Sequence, residues 1–539
     1  MFRKAIVVMA FSLLAFDGLA KNADYQVVPL PQSIRLTQEA PFILSSSTPV
    51  VYEGTDADMQ RQAQFLSDYI KQITGIRTQV LSKRTKARPS IILILNRKLK
   101  GSESYKLIVS HKQIIIEGST SAGVFYGMQT FRKSLPLGGS EKTVTMPTVC
   151  ITDSPRFSYR GMMLDCGRHF FPINFIKKFI DILALHNMNV FHWHLTEDQG
   201  WRIEIKKYPR LTSIGSMRSG TVVGRNSTLD DSIPYGGYYT QDEAKEIVEY
   251  ARQRHITVIP EIEMPGHMLA ALAAYPELGC TGGPYEVAHK WGVFKDVLCL
   301  GNEKTYKFLQ DIIDEIVHIF PSPYIHIGGD ETPTDRWETC PKCRRLAESQ
   351  GIEPNHLQQY FTNRIEKYIN SKRRRIIGWD EMLKGKIAHS AIIMSWRGIG
   401  PGSEAAKLGH DVIMSPTDND YFDYYQTKNT WNEPLAFGGY LPVSKVYEFE
   451  PCPDSLSVEA KKHIIGVQSN LWTEYISTRN QVEYMIMPRI AATSEVQWTT
   501  PEKKNYPDFV KRVTRLTALY DCYGYQYAKH LWTEKELKE

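Results

Sequence analysis

Tyr324-Ile325-His326-Ile327-Gly328-Gly329-Asp330-Glu331 is the stretch on which the reading of this chain turns. Apolar residues alternate with polar ones and then give way to two glycines and two adjacent acids, the pattern of a buried strand that delivers charge to its own end. Neighbouring side chains on a regular strand point to opposite faces. Asp330 and Glu331 can therefore address one ligand only if the chain turns as it leaves the sheet, which Gly328 and Gly329 permit. Two carboxylates at close quarters cannot both ionise freely, so one is kept protonated near neutral pH while the other stays anionic. That division of labour suits acid-catalysed cleavage of a glycosidic bond. Taken in isolation, Asp-Glu after a strand also reads as a helix N-terminus, where acids complement the dipole, so the remainder of the chain has to decide.

Outward from this stretch the pattern is rhythmic. Strand-like runs at Arg160 to Asp165, Asn189 to Leu195, Thr257 to Glu263, Tyr324 to Asp330, Arg375 to Asp380, Ala391 to Trp396, Asp411 to Ser415 and Ile464 to Leu471 alternate with helical patterns such as Asn174 to His186, Thr240 to Arg254, Glu303 to Phe320 and Asn355 to Ser371. Eight strands alternating with helices predict an α/β fold with a (β/α)8 TIM barrel over residues 155–500. Residues 24–150 have a different texture, short β-rich runs and two helical segments without convergent acids, and predict a small non-catalytic α/β (α+β) domain. Residues 501–539 contain one helical stretch, expected to pack on the barrel, and no appended carbohydrate-binding domain is expected in this tail.

At 539 residues, with 42% apolar and 23% charged side chains, the chain suits two or three well-packed domains. A net charge of +6 without a dense basic run argues against nucleic acid as a partner. Residues 1–20 read as an export signal, Arg3 and Lys4 before an apolar run and then Gly18-Leu19-Ala20, so a periplasmic or secreted protein is expected. No later stretch reaches the roughly 20 apolar residues of a membrane span. Of eight cysteines, Cys280 and Cys299 flank a Gly-rich loop and are the first choice for a disulfide. Cys340-Pro-Lys-Cys343 has the look of a zinc or redox half-site, but no second pair of ligand spacing follows it, so no metal and no cofactor are expected.

Barrel active sites lie at the C-terminal ends of the strands. There the sequence places His194 with Glu197-Asp198-Gln199-Gly200-Trp201, Glu261 to His267, the acid pair, Trp379-Asp380-Glu381, Trp396-Arg397, Asp418 to Asp423, and Trp472-Thr473-Glu474. Tryptophans beside acids fit a pyranose gripped by its faces and its hydroxyl edge.

These motifs, with Arg160-Gly161 opening the barrel and Gly378-Trp379 on the fifth strand, strongly resemble the family 20 glycoside hydrolases, the β-N-acetylhexosaminidases. The resemblance covers the N-terminal domain and the barrel. It implies a retaining exo-enzyme acting on a terminal β-linked N-acetylglucosamine or N-acetylgalactosamine of an oligosaccharide or glycoconjugate, in which the sugar's own acetamide attacks the anomeric carbon and forms an oxazolinium ion. By this resemblance Asp330 polarises the acetamide, Glu331 is the general acid and base, and His267 with Asp198 forms a relay to Glu331. Arg160 is expected on the 3- and 4-hydroxyls, Asp423 and Glu474 on the 4- and 6-hydroxyls, Tyr421 on the acetamide oxygen, and Trp379, Trp396 and Trp472 around the acetamide and ring. Glu197 stands where many relatives carry Asp. The alternatives are a disaccharide-releasing enzyme of the lacto-N-biosidase type, a non-catalytic sugar-binding barrel, a chitinase-like endo-enzyme, which the adjacent acids disfavour, and a metallohydrolase built on His192 and His194, which lacks a third ligand.

Overall fold

A computed structural model describes residues 22–53, 56–83, 88–138, 142–225 and 227–533. The export signal read at residues 1–20 lies outside them. Eight parallel strands close into a barrel in chain order: β1 (Tyr159–Asp165), β2 (Val190–His194), β3 (Thr257–Glu261), β4 (Tyr324–His326), β5 (Arg375–Trp379), β6 (Ile392–Ser395), β7 (Val412–Met414) and β8 (Ile464–Leu471). β8 closes the cylinder by pairing with β1, Arg160 opposite Val467 and Leu164 opposite Leu471. Period-2 patterning explains the two packing layers. One set of side chains, including Tyr159, Ile259, Ile377, Met394 and Ile413, fills the barrel, while Phe191, Trp193 and Ile325 face the surrounding helices.

Before the barrel, a seven-stranded mixed sheet carries the helices Ala57–Thr74 and Ser121–Ser134. The first helix begins where the Asp56 side chain accepts from the Asp58 and Met59 amides, and it stops at Gly75, whose φ of 78° is left-handed. Its buried residues Met59, Ala63, Leu66, Ile70 and Ile73 recur at alternating spacings of four and three, the stripe that seats a helix on a sheet. The two domains meet where Tyr126 packs on Trp498 at 5.1 Å between ring centres and where the Trp498 indole donates to Asp153.

The C-terminal helix Tyr506–Tyr523 lies across this seam rather than on the barrel alone. Its Arg512 forms a two-pronged pair with Glu495 at 2.6 Å on each arm and donates to the Val27 carbonyl, while Tyr523 accepts from Arg132 of the N-terminal domain. Among the described residues no helix is long and apolar enough to cross a membrane.

Candidate active site

The strand ends assemble one pocket on the C-terminal face of the barrel, holding about 850 Å3 of space that is partly open to solvent. Its acids come from three strand ends, Asp330 and Glu331 after β4, Asp423 after β7 and Glu474 after β8. β4 gives way at Gly328 and Gly329, with φ of 64° and 90°, and Glu331 itself sits at φ 41°. The chain thus turns where the glycines allow it and holds a non-glycine residue in the left-handed region, a strained state that clusters at functional sites. Gly328 is required twice over, because a Cβ there would lie 1.7 Å from a carboxylate oxygen of Glu263.

His267, reached after β3 and also left-handed at φ 51°, stands behind the pair. Its Nδ1 donates to Asp198 Oδ2 at 2.9 Å and lies 3.1 Å from Glu197 Oε2. Its Nε2 faces Asp330 Oδ2 and Glu331 Oε2, each at 3.7 Å, an electrostatic contact rather than a formed hydrogen bond. Burial opposes a charge on His267, but Glu197 and the bonds to Asp198 and Glu197 win and hold its pKa well above the usual value. Burial, with the negative charges of Glu381, Glu261 and Glu331, pushes Asp330 up to about 7 against the pull of His267. His267 keeps Glu331 below its ordinary value, burial notwithstanding. Asp330 is enclosed, whereas the Glu331 side chain remains 43% exposed and faces the mouth of the pocket.

Arg160 is not in this site. It is the second residue of β1, at the opposite end of the strand, where its guanidinium grips Glu103 of the N-terminal domain with two bonds of 2.8 Å. The arginine of the pocket is Arg168. The Asp165 carboxylate, at the C-terminal end of β1, accepts from the amides of Gly167, Arg168 and Thr473 and so folds the loop that aims Arg168 inward. Arg168 bonds Glu197 through Nη2 at 2.8 Å, lies over the Trp472 ring at 5.0 Å and approaches Asp165 through Nη1 at 3.5 Å, yet its Nε and Nη1 are buried without hydrogen-bond partners. Asp423 Oδ1, Glu474 Oε2 and Asp330 Oδ1 are likewise buried and unpaired, and burial raises the pKa values of Asp423 and Glu474. Buried polar groups are ordinarily bonded, so this pocket gathers several polar atoms with hydrogen-bonding capacity to spare.

The walls are aromatic. Trp379 and Trp472 stand 5.9 Å apart at 45°, and Trp396 stacks toward Tyr421 at 6.3 Å. Trp396 is held by Glu381, which accepts from its indole at 3.0 Å, and by Asp380, which accepts from its amide at 3.1 Å. Trp379 donates to Glu261. That carboxylate also bonds His192, His194 and His326, so His192 and His194 are part of a buried polar plug inside the barrel.

The sequence reading missed Arg168, Glu197 as a second partner of His267, and the outer wall of Trp291, Val293, Tyr424 and Phe437. Arg168 had a signal, since it follows the acid that ends β1. The wall had none, because it comes from long connections. Trp201, read as a rim residue, is buried under its own hairpin, donating to the Ile203 carbonyl. Cys280 and Cys299 are not joined and both are free thiols; the Cys280 sulfur lies 3.8 Å from that of Cys343, because the loop brings its two cysteines together against the segment after β4.

Residues 157–501 match the model of the glycosyl hydrolase family 20 catalytic domain, and residues 24–154 match domain 2 of that family. The chain belongs to glycosyl hydrolase family 20. It is 39% identical to a beta-hexosaminidase of Porphyromonas gingivalis over 97% of this chain and 68% of that protein. The GH20 exo beta-N-acetylglucosaminidase of Vibrio harveyi, solved in complex with N-acetylglucosamine, superimposes with a TM-score of 0.83 at 31% identity, covering 96% of this chain and 80% of that one. The GH20 beta-N-acetylhexosaminidase of Streptomyces coelicolor gives 0.82 at 29% identity, over 95% and 99% of the two chains. Membership in family 20 makes the chain a glycoside hydrolase of the β-N-acetylhexosaminidase type, and the acid pair with its His267 support occupies the face of the barrel where such chemistry is done.

Proposed function

We propose that the chain is a retaining exo-β-N-acetylhexosaminidase that removes a terminal N-acetylglucosamine or N-acetylgalactosamine with help from the sugar's own acetamide. The observation that carries this is the set of unpaired buried atoms on Arg168, Asp423, Glu474 and Asp330 around one aromatic-walled pocket. Arg168, Asp423 and Glu474 suit the hydroxyls of one sugar ring and close the inner end, so that a chain end rather than a chain interior enters. Asp330 suits the acetamide N–H, and Glu331 faces the open mouth, where the aglycone leaves.

Charge follows from this placement. In the free protein, at pH below about 7, the single proton of the pair rests mainly on Asp330. An acetamide N–H donated to Asp330 favours its anion, and an aglycone over Glu331 removes water from it and favours its acid. Substrate thereby moves the proton to the residue that must deliver it. Glu331 then protonates the leaving oxygen while the acetamide oxygen closes on the anomeric carbon. The Asp330 anion stabilises the positive charge of the oxazolinium, and Glu331 afterwards takes a proton from the incoming water. Asp198 and Glu197 keep His267 charged and turned toward the pair. The charged-apolar-small pattern of residues 1–20 supports export as part of this proposal.

The test is hydrolysis of chromogenic β-N-acetylglucosaminide and β-N-acetylgalactosaminide beside the matching β-glucoside, by the wild type and by Asp330→Asn and Glu331→Gln. Cleavage confined to the acetamido sugars, nearly lost in Asp330→Asn and retained better by Glu331→Gln on good leaving groups, is the expected result. Comparable cleavage of the β-glucoside would mean an enzyme nucleophile and overturn the proposal.

A further inference from the structure

Away from the sugar pocket, four cysteine sulfurs converge on one point. Cys280 and Cys299 come from the connection between β3 and β4, and Cys340 and Cys343 from the segment that follows the catalytic acids. The Cys280 and Cys343 sulfurs lie 3.8 Å apart, and Cys299 lies 3.7 Å from both Cys340 and Cys343. All four sulfurs fall within 4.8 Å of one another, and all four are free thiols. Cys299, Cys340 and Cys343 are buried and Cys280 is half-buried.

We propose that Cys280, Cys299, Cys340 and Cys343 form a structural zinc site that locks two active-site loops together. A tetrahedron with metal–sulfur bonds of about 2.3 Å has sulfur–sulfur edges of about 3.8 Å, which is the spacing found. Paired disulfides would draw the sulfurs together two by two. Here Cys299 is shared evenly between Cys340 and Cys343, and Cys343 between Cys280 and Cys299, as in a tetrahedral ligand set. Four thiolates around a tetrahedral centre suit zinc among the divalent ions. Each thiol gives up its proton as the cation binds.

The surrounding backbone is built for the approach. Cys340 precedes the helix Pro341–Gln350 and Cys343 lies in its first turn, where the helix N-terminus favours thiolate. Gly301 passes so close to this turn that a Cβ would come within 2.2 Å of the Lys342 carbonyl carbon. The buried Trp337 donates to the Leu298 carbonyl, and Arg336 pairs with Asp296 at 2.8 Å, so the two loops are already fastened on either side of the sulfurs. Cys340-Pro-Lys-Cys343 lacks a second pair only in sequence order, because the fold brings that pair from the preceding connection.

The site has a consequence for the pocket. The loop held by Cys280 and Cys299 carries Trp291, Gly292 and Val293 to the pocket wall, and Cys340 lies shortly after Glu331 in the chain. Zinc would therefore hold the outer wall against the segment that presents the acid, without touching the sugar.

Zinc content of the full chain, purified without chelators, tests this by elemental mass spectrometry beside a thiol count. About one zinc per chain is expected, falling below roughly a tenth in Cys280→Ser/Cys343→Ser, and replacement by Co2+ should give the thiolate charge-transfer and visible bands of a tetrahedral site. Stripping the wild type with a strong chelator should lower its melting midpoint by roughly 5 °C or more and raise KM more than it lowers kcat. Should the double variant fail to fold, the wild-type metal content and Co2+ spectrum decide by themselves. A chain with four free thiols and no metal, one with two disulfides, or one binding iron instead would each overturn the assignment.

Discussion

Arg160 and Arg168 sit at opposite ends of β1, both buried, and they differ in how far their guanidinium groups are satisfied. Every arm of Arg160 is used: Nε donates to the Asn187 carbonyl, Nη1 to the Phe157 carbonyl and Glu103, Nη2 to Glu103. Arg168 keeps Nε and Nη1 buried without a hydrogen-bond partner, Nη1 having only an ion-pair contact with Asp165 at 3.5 Å. A satisfied buried charge joins two domains. One with bonding capacity left over, held in place by Asp165 and Glu197, is the one that the proposed function assigns to the sugar. Among the acids, Glu103 and Glu495 are fully paired, whereas Asp330, Asp423 and Glu474 keep free oxygens in the pocket, as do Glu263 and Asp420 outside its lining.

The largest effect that could break this contrast is at Asp330. Asp330→Asn should lower kcat/KM by roughly 10^3-fold or more, yet leave the melting midpoint unchanged or higher, because a neutral amide relieves a buried carboxyl that the fold disfavours as an anion. A variant both inactive and strongly destabilised would count against the site having been built at the expense of stability. Next comes Arg168→Ala, expected to cost about 10^2-fold in kcat/KM. Arg168→Lys should recover only part, since a point charge cannot reproduce the planar fork. If Arg168→Ala were kinetically silent, its empty donors would be a packing accident.

The pH dependence sharpens the comparison within the acid pair. The pair must carry one proton, which in the free enzyme leaves Asp330 at about 7, so kcat/KM should fall about tenfold per pH unit above that point. In Asp330→Asn the remaining acid is Glu331, held low by His267, and the falling limb should move to lower pH. A limb that stays in place in this variant would assign the proton to another group. The smallest catalytic effect is expected at the other end of the strand. Arg160→Met should leave kcat/KM within about threefold while costing about 3 kcal/mol of stability in urea unfolding, because Glu103 loses its partner. Arg160→Met/Glu103→Leu should recover much of that loss.

How much of this was legible beforehand differs from residue to residue. The barrel strands and the turn at Gly328-Gly329 were readable because period-2 patterning and glycine conformation act over a few residues. Asp198, His267, Asp423, Trp379, Trp396, Tyr421, Trp472 and Glu474 were placed on the correct rim because strand direction alone decides which end a residue occupies. The same rule, applied to the second residue of β1, would have excluded Arg160 and pointed past Asp165 to Arg168. The resemblance supplied roles, not positions, and a motif beginning with arginine was read at the wrong arginine.

Alone, then, the sequence determined that the chain folds as a small mixed domain followed by an eight-stranded barrel, and that two adjacent acids leave its fourth strand. These follow from local periodicity and from the stereochemistry of single residues. Only the tertiary structure decided which buried arginine is satisfied and which is left open, that Glu197 joins Asp198 at His267, that Trp291 and Phe437 complete the wall, and that four cysteines from two loops share one centre. Each of these depends on where long connections come to rest on one another, and loop closure between distant segments leaves no periodic trace in the chain.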